Sequence, residues 1–432
     1  MYQNNHWSDK KDNAFSKGFF NNKLPQKRNP EKNMPPEAIA KGGGKKSISA
    51  RWQTIAVPFE FQREVADVIS QEQYEIYQRN IENYIGTIKV PVGIAGPLIV
   101  SGSYARGAYY IPLATTEATL VASYNRGAKA ITKSGGCSAK LIREGVSRAP
   151  GFIFNRLNNA IQFNHWVEKH AKTLKAIAEK TTRYGKLTDI IFNIEGNHVY
   201  IEFIFFTADA AGQNMTTIAT EAVCRYILAH SPVKPAYWFI EANLSGDKKA
   251  TRHSLQSVRG RNVIAEAIIP KNIVKEILHT SPDEIVRLSQ LGTIGCMLNG
   301  TIGTQGHIAN GLTALFLACG QDVACISESA AGITRFETTR EGSLYASLTL
   351  PALMVGTVGG GTGLPSQRAC LEIMGLYGTG KAQTFAEVAA GLCLAGELSI
   401  GAAISAQEFT RAHQIYARGV TKCKNHSKGR NS

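Results

Sequence analysis

Residues 151–241 read GFIFNRLNNAIQFNHWVEKHAKTLKAIAEKTTRYGKLTDIIFNIEGNHVYIEFIFFTADAAGQNMTTIATEAVCRYILAHSPVKPAYWFIE. Apolar GFIF opens the stretch and helical spacing follows over 158–180. An apolar strand covers 190–194, a turn falls at Glu195-Gly196-Asn197, and a second strand covers 198–206. A helix over 212–229 and a last apolar strand over 236–240 complete it. The order βαββαβ is that of the split ferredoxin-like unit, and about 90 residues suffice for a small domain. This stretch therefore predicts an inserted α+β domain, 151–241.

The segments on either side are expected to form one larger domain, 86–150 with 242–418. Upstream, ENYIGTIKVPVGIAGPLIV (82–100) alternates β-branched residues with Pro and Gly, as strand, turn and strand. A helix is expected from Thr115 or Thr116, because Glu117, Leu120, Val121, Tyr124, Ala128 and Ile131 give an acidic first turn and an apolar stripe; Gly135 and Gly136 end it. Downstream come a helix near 271–280, a Gly-rich stretch at 292–306, and a buried helix over 307–319. A strand ending in glycines follows at 348–365, and a long Ala/Gly helix at 382–417. A small helical region is expected over 51–85. Residues 1–50 are polar and aperiodic, an unstructured basic leader, and 419–432 form a flexible basic tail.

The 432 residues allow two or three domains. The charge is +15, from 48 Lys+Arg against 33 Asp+Glu, which invites a polyanion-binding reading. Location weakens it. Residues 1–50 carry +6 and 411–432 another +6, leaving +3 for the 360 between. No uninterrupted apolar run approaches the roughly 18 to 20 residues of a membrane helix, and no apolar signal core opens the chain, so a cytoplasmic protein without a membrane span is expected. The eight cysteines are irregularly spaced with no Cys/His cluster, so reduced thiols and no metal are expected.

Several residues could carry chemistry. Thr115-Thr116-Glu117 reads as a helix cap or as a general acid. Ser245-Gly246-Asp247-Lys248-Lys249 follows the last strand of the inserted unit and reads as a solvated turn or as a loop delivering ammonium groups into an interdomain cleft. Asp322, after Gly320 at the end of a buried helix bearing His307 and Asn310, sits where the helix dipole disfavours its charge and needs a cation such as lysine. Asp209-Ala210-Ala211-Gly212-Gln213-Asn214-Met215 opens a helix whose N-terminus suits a phosphate. Gly359, Gly360, Gly361 and Thr362 form a second anion-cradling turn. Neither is G-x-G-x-x-G, so the dinucleotide fold is not of the Rossmann kind. His413 alone on the last helix reads as a surface or packing residue.

Together these blocks resemble the class I form of the 3-hydroxy-3-methylglutaryl-coenzyme A (HMG-CoA) reductase family over 52–418. ENYIG and PVGIAGPL, ATTEATLVASYNRGAKAI, SRAPG, DAAGQNM, SGDKKAT, HIAN with ACGQD, GTVGGGT and AGELS occur in the family's order. The resemblance implies a large substrate domain around a long central helix, the ferredoxin-like insertion as cofactor domain, and reduction of HMG-CoA to mevalonate and free CoA by two hydrides from NADPH, NADH remaining open. It implies catalytic roles for Glu117, Lys248, Asp322 and His413: Lys248 on the oxyanion, Glu117 as proton donor to the aldehyde, Asp322 orienting both, His413 protonating the CoA thiolate. It places Arg148, Asn243, Asp247, Lys249 and Asn310 on the acyl group, and Ser123, Asn125 and Arg126 on CoA. Asp209, Gly212, Gln213, Asn214, Met215, Gly359, Gly360, Gly361 and Thr362 fall at the cofactor, and a homodimer or homotetramer with active sites between subunits is implied. The sequence departs from the family at Ala211 and Gln213, where methionine is usual, at Gln290, where a substrate lysine is usual, and at Gly419, where vertebrate forms have a regulatory serine. Two other readings stay open: a reductase of this fold acting on another acyl-CoA, and a protein binding nucleic acid or an anionic surface through its basic tails.

Overall fold

The computed structural model describes residues 45–55, 58–66 and 71–408; most of the expected leader, His413 and the basic tail lie outside the described residues. Three short helices come first, α1 (Lys45–Ile55), α2 (Phe59–Val65) and α3 (Gln71–Gln78), so helix begins inside the stretch expected to be leader. Arg51 donates to the Tyr84 carbonyl at 2.9 Å, the Trp52 indole to that of Ile85 at 3.0 Å, and the Thr87 N–H goes to Val65 O at 3.0 Å. These bonds occupy the backbone of residues 84–87, which runs as a strap. Strand β1 (Val92–Gly102) therefore stands alone where two strands were expected. It pairs antiparallel with β2 (Arg106–Ala114), with a register shift at Gly96-Pro97.

Helix α4 (Leu120–Lys133) begins later than expected. The Thr115 hydroxyl accepts the Glu117 N–H at 3.0 Å, and Thr119 at φ 75° reverses the chain before the first turn, so Glu117 lies on a bend ahead of the helix. Strand β3 (Cys137–Arg148) then leads into the 151–241 segment: β4 (Gly151–Ile153), α5 (Leu157–Lys169), α6 (Ala171–Glu179), β5 (Lys186–Glu195), β6 (His198–Phe206), α7 (Gln213–His230) and β7 (Tyr237–Phe239). The expected first helix is two helices broken at His170. The strands lie in the order β7-β4-β6-β5, antiparallel at every pairing. Phe152, Phe163, Phe203, Phe205, Val223 and Ile227 help give this segment its own core.

The chain returns through α8 (Arg252–Gln256), β8 (Gly260–Ile269), α9 (Lys271–Ile273) with a wide turn over 274–278, α10 (Pro282–Asn299), α11 (Ile308–Cys319), α12 (Ile326–Ser329), β9 (Ile333–Thr338), β10 (Leu344–Leu353), α13 (Pro365–Ile373) and α14 (Ala382–Ser405). The Gly-rich stretch from 292 is helical as far as Asn299. Ser281 caps α10 by accepting the Glu284 N–H, Pro282 opens it and left-handed Gly300 closes it. These signals outweigh the cost of Gly292 and Gly295, about 1 kcal/mol each. Strand β3 joins the two sheets: it runs parallel to β1 and antiparallel to β8, and its last three residues, Val146–Arg148, pair with β6. Arg148 thus stands at the seam.

Helix α14 is the centre of the larger core. It has the length and apolar composition of a membrane span, which the sequence reading did not foresee, yet most of it is buried in the protein. Small residues let its neighbours close in: a Cβ on Gly396 of α14 or Gly311 of α11 would collide with the ring of Tyr124 on α4. Its two fully buried glutamates hold loops. Glu387 accepts the N–H groups of Ser103, Tyr104, Ala105 and Leu141, and Glu397 accepts those of Gly306 and His307 with the Thr334 hydroxyl at 2.8 Å. Burial pushes the Glu397 carboxyl up against the opposing pull of those donors.

Candidate active site

The 243–249 loop turns tightly, with Asn243 at φ 64°, Gly246 at 70° and Lys248 at 55°. Left-handed backbone costs a non-glycine residue energy, and here neighbours hold it. The Lys248 N–H donates to Glu328 Oε1 at 3.2 Å, and Lys248 Nζ lies 3.0 Å from Asp322 Oδ2. Asp322 caps the turn after α11 by accepting the Ala324 N–H at 3.0 Å. The cation that Asp322 needs at this helix end is therefore Lys248. The hydrogen bond to Asp322 raises the Lys248 pKa above that of an ordinary lysine, against partial burial, so the ammonium is charged throughout the neutral range. Lys249 is exposed and bonds back to the Asp247 carbonyl at 3.0 Å; Asn243 donates its N–H to Glu241 at 2.7 Å.

Beneath this loop lies an ionic cluster. Arg148 contacts Glu241 and Asp247, each at 3.1 Å, and Arg259 also bonds Asp247. Glu328, fully buried, sits 3.5 Å from Arg259. Burial pushes the Asp247 carboxyl up, but Arg259 and Arg148 with a hydrogen bond from Gln213 outweigh it and hold it below the usual range. Burial raises Glu328. Glu241, Arg259 and Glu328 were not singled out from sequence. Nothing in their local pattern separates them from surface charges, since what defines them is burial beside Arg148.

At the other end of α11, Asn310 donates to Glu117 Oε2 at 2.8 Å. Glu117 is exposed and Asn310 half-buried, and both line a cleft of about 410 Å³ with Val90, Thr116, Thr313 and Leu317. His307 lies behind them, its ring stacked 5.0 Å from that of Tyr124, whose hydroxyl donates to the His307 carbonyl at 2.6 Å. Burial lowers the His307 pKa, with Glu117 opposing, and its Nε2 has no hydrogen-bond partner among the described residues. Asn310 lies in the first turn of α11 and Asp322 just beyond its end, and the helix from 310 to 319 alone spans roughly 14 Å at 1.5 Å per residue. The resemblance has Asp322 orienting both Lys248 and Glu117; among the described residues of one chain the Lys248 ammonium pairs with Asp322, while Glu117 bonds Asn310.

Of the residues assigned to CoA, Asn125 and Arg126 line a second cleft of about 360 Å³ with Lys129, Glu276 and His279. Arg126 is braced by Ser399, donating to its carbonyl at 2.6 Å and its hydroxyl at 3.0 Å, while Ser123 bonds the same hydroxyl at 3.0 Å. Lys129 was legible, one turn on from Arg126 along α4; His279 carried no local signal. Gln290 is exposed on α10.

The two segments assigned to the cofactor adjoin. The Asp209 carbonyl accepts the Thr357 N–H at 2.8 Å, and Ala210 bridges to Val358. Several of their side chains are engaged internally. The Asp209 carboxylate accepts the N–H groups of Gly380, Lys381 and Ala382 at the start of α14; Met215 packs against the segment core and Gly185; Thr362 is buried and bonds Gly359 O at 2.7 Å; Gly361 lies against Gly320. The first turn of α7, after left-handed Gly212 buried against Thr207, has no side-chain cap; Asn214 is exposed, and at Gly359 and Gly360 an added Cβ would meet nothing within 4 Å. Bare backbone beside an uncapped 18-residue helix fits the phosphates of a dinucleotide.

A lysine held by one carboxylate can polarise a carbonyl, and a second carboxylate held by an amide along a cleft can exchange a proton. The family model for hydroxymethylglutaryl-coenzyme A reductase matches residues 47–418. The 3-hydroxy-3-methylglutaryl-coenzyme A reductase of Pyrococcus horikoshii is 45% identical over 351 residues, 80% of this chain and 85% of that protein. That of Aeropyrum pernix is 44% identical over 355 residues, 81% of this chain and 84% of that protein. The class II enzyme from Streptococcus pneumoniae, in a structure bound to NADPH in open conformations, shares the fold at TM-score 0.63 and 19% identity, over 80% of this chain and 95% of that one. The chain belongs to the hydroxymethylglutaryl-coenzyme A reductase family, and it is an oxidoreductase.

Proposed function

We propose that the chain reduces HMG-CoA to mevalonate and free CoA. The observation that carries this reading is the Lys248 ammonium, fixed at 3.0 Å by Asp322 and kept protonated. A cation so held stabilises the oxygen of a thioester carbonyl as it becomes an oxyanion, and does so again when the resulting aldehyde is reduced. A nicotinamide dinucleotide, NADPH first, supplies the hydride for each reduction, held by the α7 N-terminus, Asn214, Gly359 and Gly360. Collapse of the first product expels CoA thiolate, whose proton we assign to His413; the proton completing the alcohol we assign to Glu117, oriented by Asn310. Arg148 and Asp247 with Lys249 and Asn243 receive the acyl carboxylate and hydroxyl, and Asn125 and Arg126 with Ser123 receive CoA.

The proposal includes a two-chain active site. Glu117 and Lys248 lie at opposite ends of α11, so one carbonyl meets both when one end comes from each of two subunits. The α10 surface supports such pairing, with Leu291, Ile294, Met297 and Leu298 each more than half exposed. We assign 151–241 as a ferredoxin-like cofactor domain, supported by its strand order and separate core, with 86–150 and 242–418 as the substrate domain. A cytoplasmic setting accords with the seven free cysteines among the described residues. The test is oxidation of NADPH with a panel of acyl-CoAs. Preference for the hydroxymethylglutaryl thioester is expected; equal rates with unrelated acyl groups would refute the assignment.

A further inference from the structure

Gln213 opens α7 directly after left-handed Gly212, where the sequence points to a dinucleotide contact, yet its side chain turns the other way. Its amide nitrogen donates to Asp247 Oδ1 at 3.1 Å and approaches Cys325 Sγ at 3.2 Å. Its amide oxygen accepts from Arg259 at 2.9 Å and from Arg148 at 3.4 Å. Two donors and two acceptor positions are all an amide has, and all four are used. The amide's orientation is fixed by charge as well: turned over, it would point N–H groups at two guanidinium ions and its oxygen at a carboxylate. Both arginines are almost wholly buried, and such charges depend on every acceptor within reach.

We propose that Gln213 is a positioning residue for the acyl-carboxylate site and not a contact of the dinucleotide. It sets the spacing of Arg148, Arg259 and Asp247, which carry the loop ending in Lys248, and ties that loop to the first turn of α7. Reaching a dinucleotide would require the amide to leave four partners, whereas its neighbour Asn214 is exposed and free to do so. The inference rests on the reading that this cluster receives the acyl group of HMG-CoA.

Calorimetric titration of the full-length protein with HMG-CoA and, separately, with NADP+ tests it, using wild type, Gln213→Leu and Gln213→Glu, together with KM and kcat. Leucine keeps the bulk and removes all four bonds; glutamate keeps the acceptor for both arginines but opposes Asp247. The expected result is HMG-CoA affinity about tenfold weaker with leucine, a smaller loss with glutamate, KM for HMG-CoA rising more than kcat falls, and NADP+ affinity within about twofold of wild type. Weakened NADP+ binding with HMG-CoA binding intact would overturn the assignment, as would a lowered melting temperature with both affinities unchanged. Absence of HMG-CoA binding by wild type would instead remove the reading on which it rests. Should the leucine variant fail to fold, the glutamate variant decides on the same two affinities.

Discussion

The two ends of α11 are built on different principles. At its C-terminal end Asp322, Lys248, Glu328, Arg259, Asp247 and Arg148 hold one another through charge, and the left-handed backbone at Lys248 is kept in place by ion pairs and one buried carboxylate. At its N-terminal end no ion pair among the described residues fixes the exposed Glu117 carboxylate, which is held by one amide in front of a stacked, hydrogen-bonded aromatic pair. A cluster of charges can be pre-organised inside one chain. A lone carboxylate at the mouth of a cleft takes its working surroundings from what closes over it, and the difference is what a site shared between two chains would show.

The sharpest way to break the comparison is to disable each end separately. Lys248→Ala removes the ammonium that Asp322 pairs with, and should lower kcat by about a hundredfold to a thousandfold with thioester and with aldehyde alike, as loss of an oxyanion donor does. Glu117→Gln should cost roughly a hundredfold or more, the range of a missing general acid. Mixing the two inactive variants through a cycle of mild dissociation and reassociation then reports the architecture. If the ends meet across subunits, half the sites of a mixed dimer carry both defects and half carry none, so activity returns. No recovery in demonstrably mixed dimers would place Glu117 and Lys248 in one chain.

A smaller effect sharpens the contrast in kind. The Asp322 hydrogen bond raises the Lys248 pKa, and the group acts in its protonated form. Activity limited by this lysine therefore persists below the raised value and declines as pH passes through it. Asp322→Asn removes the carboxylate, so the lysine loses its proton at lower pH and the alkaline limb of kcat/KM should move to lower pH. An unmoved limb would mean that another group sets it. No comparable displacement is expected from Asn310→Ala, which leaves the charge count at its end unchanged.

Much of this was legible from sequence. The 151–241 segment announced itself because each strand alternates or runs apolar at the right length, and the turns at Gly196 and Gly212 punctuate it. The strap at 84–91 misled because its β-branched residues look like a strand, while its backbone partners come from Arg51 and Trp52, more than thirty residues away. The helix through Gly292 and Gly295 went unread because glycine carries no helical signal of its own, whereas the caps at Ser281 and Gly300 act over the whole helix. In the proposed site, residue type and position singled out Lys248 and Asp322, which the fold brings to 3.0 Å, and Asn310, which it sets against Glu117. Direction was hidden: nothing in DAAGQNM says that the Asp209 carboxylate caps α14 or that the Gln213 amide faces two arginines. Side-chain direction depends on partners distant in sequence, and no local pattern carries it.

The mildest test concerns the aromatic pair. Tyr124 is fully buried where α4, α11 and α14 converge, and burial raises its hydroxyl's pKa well above the ordinary value, so it is a neutral donor at any working pH. Tyr124→Phe keeps the ring and its stacking on His307 but leaves the His307 carbonyl without that donor inside the core, at a cost of about 1–2 kcal/mol and a few degrees of melting temperature. Because His307 and Asn310 share the first turn of α11, the loosened carbonyl should reach Glu117 through Asn310 and lower aldehyde reduction only about two- to threefold. It should leave the alkaline limb set by Lys248 where it was. A Tyr124→Phe enzyme that lost that limb would show the two ends of α11 to be one coupled unit, and the contrast between charge-held and packing-held halves would be wrong.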